Sequence, residues 1–326
     1  MVIIGTLIGA GFASGREIYL FFTRYGLWGI MGMTLSSFLT GIIVYKTLNN
    51  VKKYEIKDYN NLLEKINYKH KKINMLISFI VNIFLLISFY IMTAAFGAYI
   101  NQAYRISNII ASIFFVIICY FIFLKNLKGV IKVNEILVPI LIIFICYLGI
   151  KNIPYLLETN GVIHLYTLDK EWFISSIFYS SYNSIILIPV LCTMRNCINN
   201  KKDIIMISIL SSFLILLLAF IIFGLLLRGQ FYVGELELPL IQVSLEFGKI
   251  SKYLYSFIIV ISIFTSAIST GYSFLKNISK NNKMYHKAII LMCISSVIVS
   301  TVGFSKLVEI LYPFFGILGL IQIMII

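Results

Sequence analysis

Three glycines and a serine interrupt the first apolar segment of the chain, and their spacing is the strongest pointer to chemistry in the sequence. Gly9, Gly11 and Gly15 surround Ser14 between stretches apolar enough for lipid. Each glycine weakens a helix by roughly 1 kcal/mol relative to alanine, so the segment predicts a broken helix. Irregular backbone at membrane depth survives only inside protein or beside a water-filled cavity. The break therefore indicates a binding site, although small residues at this spacing also suit close packing of membrane helices.

Ser14 and Glu17 predict where the helix resumes, because they have the spacing of a capping box. In that motif the serine oxygen accepts the Glu17 amide, and the glutamate carboxylate accepts the Ser14 amide. A second short helix is therefore predicted from about Gly15. Glu17 is also a candidate proton site, although the capping role would already account for it.

The composition places the chain in a membrane. It is 60% hydrophobic and only 12% charged, with a mean hydropathy of +0.95, whereas about a quarter of the residues of a soluble protein are charged. Crossing a bilayer takes roughly 20 apolar residues. With the interrupted first segment, nine further apolar runs predict ten transmembrane helices, at 27–48, 73–99, 107–124, 130–150, 172–192, 204–227, 254–275, 288–304 and 307–326.

The net charge of +14 is unevenly distributed between alternate loops. Eighteen lysines and arginines fall in one set of loops and eight in the other, which also holds most of the acidic residues. This is the positive-inside pattern of a membrane protein rather than a nucleic-acid-binding surface. We expect a multi-pass protein of the bacterial plasma membrane with both termini in the cytoplasm and no cleavable signal peptide. No pattern points to a particular oligomeric state.

Residues that could support catalysis or hold a metal are scattered. Four cysteines fall in predicted spans and Cys197 in a loop, and the three histidines lie in loops on different sides. Neither a metal site nor a nucleophile and base pair is predicted from such positions. A phosphate-binding GxxxxGK[ST] motif does not occur. We therefore predict a protein that is not an enzyme, uses no cofactor and does not hydrolyse ATP.

The second half of the chain carries a matching interruption. Ten spans divide into five and five, giving a single transmembrane domain over 1–326 with predicted repeats at 1–150 and 151–326. Because five is odd, two halves of like fold would insert in opposite orientations. The sixth span, partner of the first, has a polar centre from Tyr179 to Ser184 and then Pro189. Paired interruptions in the two halves indicate a transporter site near the membrane midplane.

The motif at 5–18, GTLIGAGFASGREI, resembles the opening of the YkvI-like family of bacterial membrane proteins. The polar centre of span six, and Tyr312 with Pro313 in span ten, are also similar. More distantly the chain resembles the LeuT-type transporters of the amino acid–polyamine–organocation superfamily. The resemblance covers essentially the whole chain. It implies an all-α integral membrane fold of ten transmembrane helices, in a LeuT-like 5+5 inverted repeat with helices one and six broken.

The resemblance also implies where a solute and a sodium ion would bind. The ion would lie between the carbonyls of Gly5 and Ile8 and hydroxyls of span eight. Ser266, Ser269 and Thr270 share one face of that helix, although such hydroxyls also commonly bond their own or a neighbouring helix. The candidate solute-binding residues, from spans one, three and six, are Gly9, Ala10, Gly11, Ser14, Tyr90, Tyr179, Ser181 and Asn183.

Two further features bear on coupling and gating. Glu135 in span five is a second candidate proton site, because a charge at this depth is expensive. Lys132, one turn earlier, is expected to reach the interface. On the external side, the apolar stretch at 238–241 within 235–247 is a candidate loop that dips into the vestibule.

The sequence thus predicts a secondary transporter working by alternating access. Its solute would be small and amine- or carboxylate-bearing, and the coupling ion would be Na⁺ or H⁺. A ligand-binding membrane sensor without net transport, resembling germinant-receptor subunits, is the main alternative, and a channel is the third.

Overall fold

A computed structural model describes residues 1–66, 71–158, 171–198, 200–228, 239–279 and 281–325. Within these ranges the regular structure is entirely helical, apart from turns and short 3₁₀ segments. The α-helices are α1 (Val2–Leu7), α2 (Ala10–Ala13), α3 (Arg16–Phe21), α4 (Leu27–Lys53), α5 (Tyr59–Ile66), α6 (Lys71–Tyr104), α7 (Asn108–Phe123), α8 (Asn126–Glu158), α9 (Glu171–Thr193), α10 (Lys201–Arg228), α11 (Pro239–Glu246), α12 (Lys249–Ile278), α13 (Asn282–Ser300) and α14 (Phe304–Ile325).

The helices account for the ten predicted spans. Seven described helices (α4, α6, α8, α9, α10, α12 and α13) are long and apolar enough to cross a membrane by length and composition. The fourth span, α7, has 16 residues. Within α14, the apolar stretch Phe315–Met324 is also shorter than a full span. The first span is the interrupted series α1, α2 and α3. Two short helices, α5 and α11, lie between spans.

The break in the first span is confirmed. α1 ends at Leu7, and its C-cap Ile8 has φ −86° and ψ 71°, outside the helical region. Gly15, between α2 and α3, has φ +82°, which is the left-handed conformation that glycine adopts without a Cβ penalty. The glycine-rich segment therefore contains two interruptions of the helix, one after Leu7 and one at Gly15, rather than one.

The predicted break in the sixth span is wrong, because α9 is one helix from Glu171 to Thr193. Its polar side chains bond back to their own helix: Ser181 Oγ donates to the Ile177 carbonyl at 2.7 Å, and Asn183 Nδ2 donates to the Tyr179 carbonyl at 2.9 Å. Such bonds to the preceding turn satisfy the side chain without interrupting the backbone ladder. The first span is therefore interrupted, whereas the sixth span is one continuous helix.

Several helix contacts recur when each of the first five spans is exchanged with the span five positions later. α4 packs on α9 as α10 packs on α1 and α3, and α8 packs on α1 as α14 packs on α9. α6 packs on α7 as α12 packs on α13. Two halves of like fold would give this pattern. Residue 150, the predicted end of the first half, lies inside α8, which continues to Glu158.

The buried centre of the molecule is formed by α1, α9 and α12. Most side chains of α9 and α12 are buried, whereas α8, α10 and α13 expose rows of large apolar residues. Exposed apolar rows are unfavourable in water and favourable against lipid. The outer helices therefore face the bilayer, and the polar interruption of the first span lies in the protein interior.

Helices α9 and α14 approach so closely that a glycine is required between them. A Cβ on Gly319 would fall 1.9 Å from the Ser181 carbonyl oxygen, which is backbone and cannot turn aside. A Cβ on Gly316 would instead meet the Phe178 ring at 3.2 Å, where a side chain can shift. Small residues allow this kind of backbone approach between membrane helices.

We predict that Gly319→Ala destabilises the protein by about 1–3 kcal/mol, the usual range for overpacking. Gly316→Ala, one turn away on the same helix, is the matched control and should have a clearly smaller effect. Thermal unfolding of both variants in detergent measures the difference. Equal midpoints for Gly319→Ala and the parent protein would contradict the close approach of α9 and α14.

Candidate functional site

A small cavity lies beside the break in the first span, at the meeting point of spans one, three, six, eight and ten. The cavity has a volume of about 20 Å³, which is enough for a single small group. The lining residues are Thr6, Leu7, Gly9, Glu17, Phe84, Ser88, Ile91, Met92, Tyr182, Asn183, Ile186, Ser266, Thr270 and Phe315.

Ser266 holds the end of α1 against α12. Its hydroxyl lies 2.9 Å from the Gly5 carbonyl oxygen and 3.2 Å from the Thr6 carbonyl oxygen, within donating distance of both. The approach is tight, because a Cβ on Gly9 would fall 3.3 Å from Ser266 Oγ. Span eight therefore contacts the helix break through a hydroxyl group, as the cation-site prediction requires.

Two other groups donate hydrogen bonds to backbone carbonyls at the end of the break formed by Ala13 and Ser14. The Tyr255 hydroxyl donates to the Ala13 carbonyl, and the Leu240 amide of α11 donates to the Ser14 carbonyl at 3.2 Å. A Cβ on Gly15 would collide with the Leu240 side chain at 2.8 Å. Protein groups thus supply partners for carbonyls that lie outside the regular helices.

The predicted capping box does not form. Gly15 is the N-cap of α3, and no side chain caps the helix. The Ser14 hydroxyl instead donates to the Gly11 carbonyl at 3.1 Å and accepts the Arg16 amide at 3.3 Å. The Glu17 carboxylate is turned toward Gly11, where a Cβ would fall 2.2 Å from Oε1. The Glu17 side chain also lines the cavity.

The three hydroxyl residues of span eight have separate surroundings. Ser266 reaches the first span, whereas Thr270 lines the cavity and donates to the Ser266 carbonyl at 2.8 Å. Ser269 faces span five, where Asn134 Nδ2 lies 3.5 Å from Ser269 Oγ. A Cβ on Gly5 would fall 2.0 Å from Asn134 Oδ1, so span five packs tightly on α1.

Several predicted solute-binding residues lie away from the cavity. Tyr90 is the clearest correction, because its hydroxyl is 2.6 Å from Ser295 Oγ on α13. Tyr179 packs its ring on Phe22, with centroids 4.9 Å apart, and Ser181 bonds back within α9. The side chain of Ala10 is outside the described part of the structure.

Of the two candidate proton sites, only Glu17 lines the cavity. Glu135 lies on an exposed face of α8, as does Lys132. Glu135 does not line the cavity, and its role as a proton site stays a prediction. The apolar pattern that defined span five does not distinguish its inner face from its outer face.

The sequence reasoning missed the wall that α6 contributes. Phe84, Ser88, Ile91 and Met92 all line the cavity, and their spacing of four, seven and eight residues places them on one helical face. Tyr90 lies on another face of the same helix. Choosing residues by helical face rather than by depth would have selected Ser88.

The chain is similar over nearly its whole length to two proteins of Bacillus subtilis (strain 168). It is 25% identical over 324 residues to the uncharacterized membrane protein YkvI, a match spanning 98% of this chain and 91% of YkvI. It is 25% identical over 328 residues to the uncharacterized protein YyaD, spanning 98% of this chain and 92% of YyaD. No family model matches the chain.

Two solved structures share its fold. One is the substrate-bound outward-open state of a Na⁺-coupled sialic acid symporter, with a TM-score of 0.68, 14% identity, and coverage of 97% of this chain and 73% of the symporter. The other is MhsT in complex with L-phenylalanine, with a TM-score of 0.63, 16% identity, and coverage of 94% and 78%. The chain is a distant homologue of YkvI with the LeuT-type fold.

α11 lies against one side of the break in the first span. Besides the bond to Ser14, α11 is tied to α10 by an ion pair with Glu246 Oε2 2.6 Å from Arg228 Nε. This agrees with the prediction of an external loop that dips toward the site. Residues 229–238, which include the start of the predicted loop, lie outside the described ranges.

The opposite end of the molecule is closed by a ring of four polar side chains that joins α5, α6 and α12. Asn277 Nδ2 donates to Asn82 Oδ1 at 2.9 Å, and Asn82 Nδ2 donates to Ser78 Oγ at 3.2 Å. Ser78 donates to Asn60 Oδ1, whose own amide donates to the Asn277 carbonyl at 3.0 Å. The ring holds α5 across the ends of spans three and eight.

Tyr59, the first residue of α5, is buried next to this ring. Its amide donates to Asn277 Oδ1 at 3.2 Å, and its side chain is fully buried. Burial raises the pKa of the Tyr59 hydroxyl well above its ordinary value, so the side chain is neutral at physiological pH. α5 also packs on α9, near the buried Cys192.

We predict that Asn277→Ala loosens α5, because it removes the side-chain bonds to Tyr59 and Asn82. In a Cys197→Ser background, which removes the exposed thiol, Cys192 should react with a maleimide about thirtyfold faster than in the parent, since each of the two lost bonds contributes about 1 kcal/mol. Asn101→Ala, which removes a bond to the Ile106 carbonyl at the other end of α6, is the control. Unchanged Cys192 labelling in Asn277→Ala would show that the ring does not hold α5.

Proposed function

We propose that the protein is a cation-coupled secondary transporter that moves a small amine- or carboxylate-bearing solute by alternating access around this cavity. The observation that carries the proposal is the interrupted first span, whose Gly5 and Thr6 carbonyls accept the Ser266 hydroxyl of α12 beside a small cavity between five spans. In a membrane, such backbone is found where it lines a site or a water-filled path. The Na⁺-coupled symporter that shares the fold supports coupling to a cation.

The coupling ion would be held between α1 and α12. Ser266 Oγ lies 2.9 Å from the Gly5 carbonyl oxygen and 3.2 Å from the Thr6 carbonyl oxygen. Ile8, the C-cap of α1, and Thr270 supply further oxygens nearby, with Ser269 at the span-five side. Uncharged hydroxyl and carbonyl oxygens fit a hard cation, and the lack of carboxylates in this set suits a monovalent ion better than calcium. Glu17 is the candidate if the coupling ion is a proton.

The solute would contact groups on several spans. Gly9, Asn183, Thr6, Ser88 and Tyr182 present polar or backbone groups at the cavity wall. The present volume admits only a small group, so a larger solute requires its walls to move apart. Access would alternate between the side closed by α11 and the side closed by α5. We place the latter side, the termini and the basic loops in the bacterial cytoplasm, and divide the repeats after α8.

Purified protein in liposomes, with a panel of labelled amines and carboxylates and an inward sodium gradient, tests the proposal. A transporter accumulates at least one solute inside, and accumulation ends when the gradient is dissipated. A sensor binds the same solute without accumulating it. Binding without uptake across the panel would therefore replace transport by the sensor function.

We predict that Ser266→Ala weakens sodium activation of uptake about tenfold, equivalent to about 1.4 kcal/mol, because it removes one oxygen between α1 and α12. Thr270→Val, which removes an oxygen at nearly constant volume, should weaken it in the same direction. Ser273→Ala is the control, since the Ser273 hydroxyl donates to the Ser269 carbonyl of its own helix at 3.0 Å. Sodium dependence that is identical in all three variants would make the hydroxyl row structural.

A further inference from the structure

The exposed face of α10 forms an elongated apolar groove with a lysine at one end. The groove has a volume of about 590 Å³ and is lined by Lys202, Ile205, Met206, Ile209, Leu210 and Phe213. These residues are spaced three or four positions apart, or one, so they lie on one face of the helix. All six are exposed, and none of them lines the cavity beside the first span. The groove is therefore a separate surface feature of the seventh span.

The length of the groove matches one leaflet of a bilayer. From Lys202 to Phe213 the helix rises about 16 Å, at about 1.5 Å per residue. Half of the hydrocarbon core of a bilayer is about 15 Å thick. α10 is long and apolar enough to cross a membrane, and Lys202 is its second residue. The lysine therefore lies at the level of the lipid headgroups, and the apolar side chains lie at the level of the acyl chains of one leaflet.

The charge at the headgroup end of the groove is positive. Lys201 and Lys202 are both exposed, and neither has an ion-pair partner among the described residues. Asp203, the one acidic residue of α10, is partly buried and does not line the groove. Its carboxylate accepts the Asn200 amide at 2.8 Å. An anionic headgroup at this depth would therefore meet two lysines that no carboxylate of the described structure neutralises.

Two properties of α10 favour a lipid over a second copy of the chain as the occupant. Membrane helices pack closely through small residues, and a small residue of α10 faces its neighbour α4. The Ser212 hydroxyl donates to the Ser37 carbonyl at 2.6 Å, and a Cβ on Gly41 would fall 3.0 Å from Ser212 Cβ. The groove face instead carries large apolar side chains. Two copies inserted in the same orientation would also bring their Lys202 side chains to the same depth, where like charges repel.

We propose that this groove binds an anionic phospholipid, with the headgroup phosphate at Lys202 and an acyl chain along the helix as far as Phe213. The lipid belongs to the leaflet on the side of the basic loops, where lysines near the membrane surface attract anionic headgroups. Each such lysine strengthens binding about fivefold. Lys202 lines the groove and Lys201 does not, so Lys202 determines the preference for an anionic headgroup.

Quenching of a tryptophan in the groove by brominated lipids measures which lipid occupies it. Leu210→Trp is reconstituted into phosphatidylcholine vesicles that contain either brominated phosphatidylglycerol or brominated phosphatidylcholine. The quenching of the parent protein, which has Trp28 and Trp172, is subtracted. We expect phosphatidylglycerol to be preferred about fivefold at this position. Phe220→Trp, on an exposed part of the same helix beyond the groove, is the control and should show no preference. Equal quenching of Leu210→Trp by the two lipids overturns the proposal.

The two adjacent lysines distinguish a site from general surface charge. In the Leu210→Trp background, Lys202→Gln should lower the preference for phosphatidylglycerol about fivefold, so that the two lipids bind almost equally. Lys201→Gln removes the same charge one residue away, outside the groove lining, and should keep most of the preference. An equal loss in both variants overturns the proposal, because the attraction would then come from the surface as a whole. An unchanged preference in Lys202→Gln overturns it as well.

A second copy of the chain in the groove would give a different result in the same assay. If the α10 faces of two copies met, the tryptophan of Leu210→Trp would be shielded, and both brominated lipids would quench it weakly. That outcome overturns the proposal and makes the groove an interface between copies. The vesicles contain no solute and no ion gradient, so the test is independent of whether the protein transports.

Discussion

The rest of the structure depends on how the interrupted first span satisfies its backbone. Hydrocarbon offers no hydrogen-bond partner, and an unpaired buried group costs several kcal/mol. Here the partners come from elsewhere in the chain: Ser266 for Gly5 and Thr6, Tyr255 for Ala13, and the Leu240 amide for Ser14. Each bond also attaches the first span to α12 or α11. The requirement to satisfy the backbone therefore places the break where three elements meet and encloses a cavity beside it.

The same attachments bear on how such a site could open. α11 and its ion pair to Arg228 close one side, and the ring of Asn60, Ser78, Asn82 and Asn277 closes the other. Both closures combine a few polar contacts with buried apolar side chains of the short helices α5 and α11. Since a ligand shifts an equilibrium only through its differential affinity for the two states, an ion bridging α1 and α12 could bias one closure against the other. The carbonyls that Ser266 contacts are the groups that such an ion would use.

The sequence predicted the first break because glycine acts on the backbone of its own segment. It failed at span six because Ser181 and Asn183 can bond to the preceding turn of an intact helix, and composition alone does not distinguish that outcome from a break. The prediction of Ser14 as the N-cap failed because Gly15 adopts the left-handed conformation and is itself the N-cap of α3. Tyr90 was chosen by depth, whereas helical face decided that Ser88 lines the site. The ring at Asn277 joins residues more than 200 positions apart, which no local pattern encodes.

Access to the cavity from both sides of the membrane tests the central claim most directly. Ser88 is buried at the cavity wall, so Ser88→Cys, in a chain whose five native cysteines are replaced, reports when the cavity opens. A membrane-impermeant maleimide is applied to vesicles of each orientation, with and without sodium. The account predicts labelling from either side, with sodium raising the rate on one side and lowering it on the other. Labelling confined to one side under every condition would contradict alternating access.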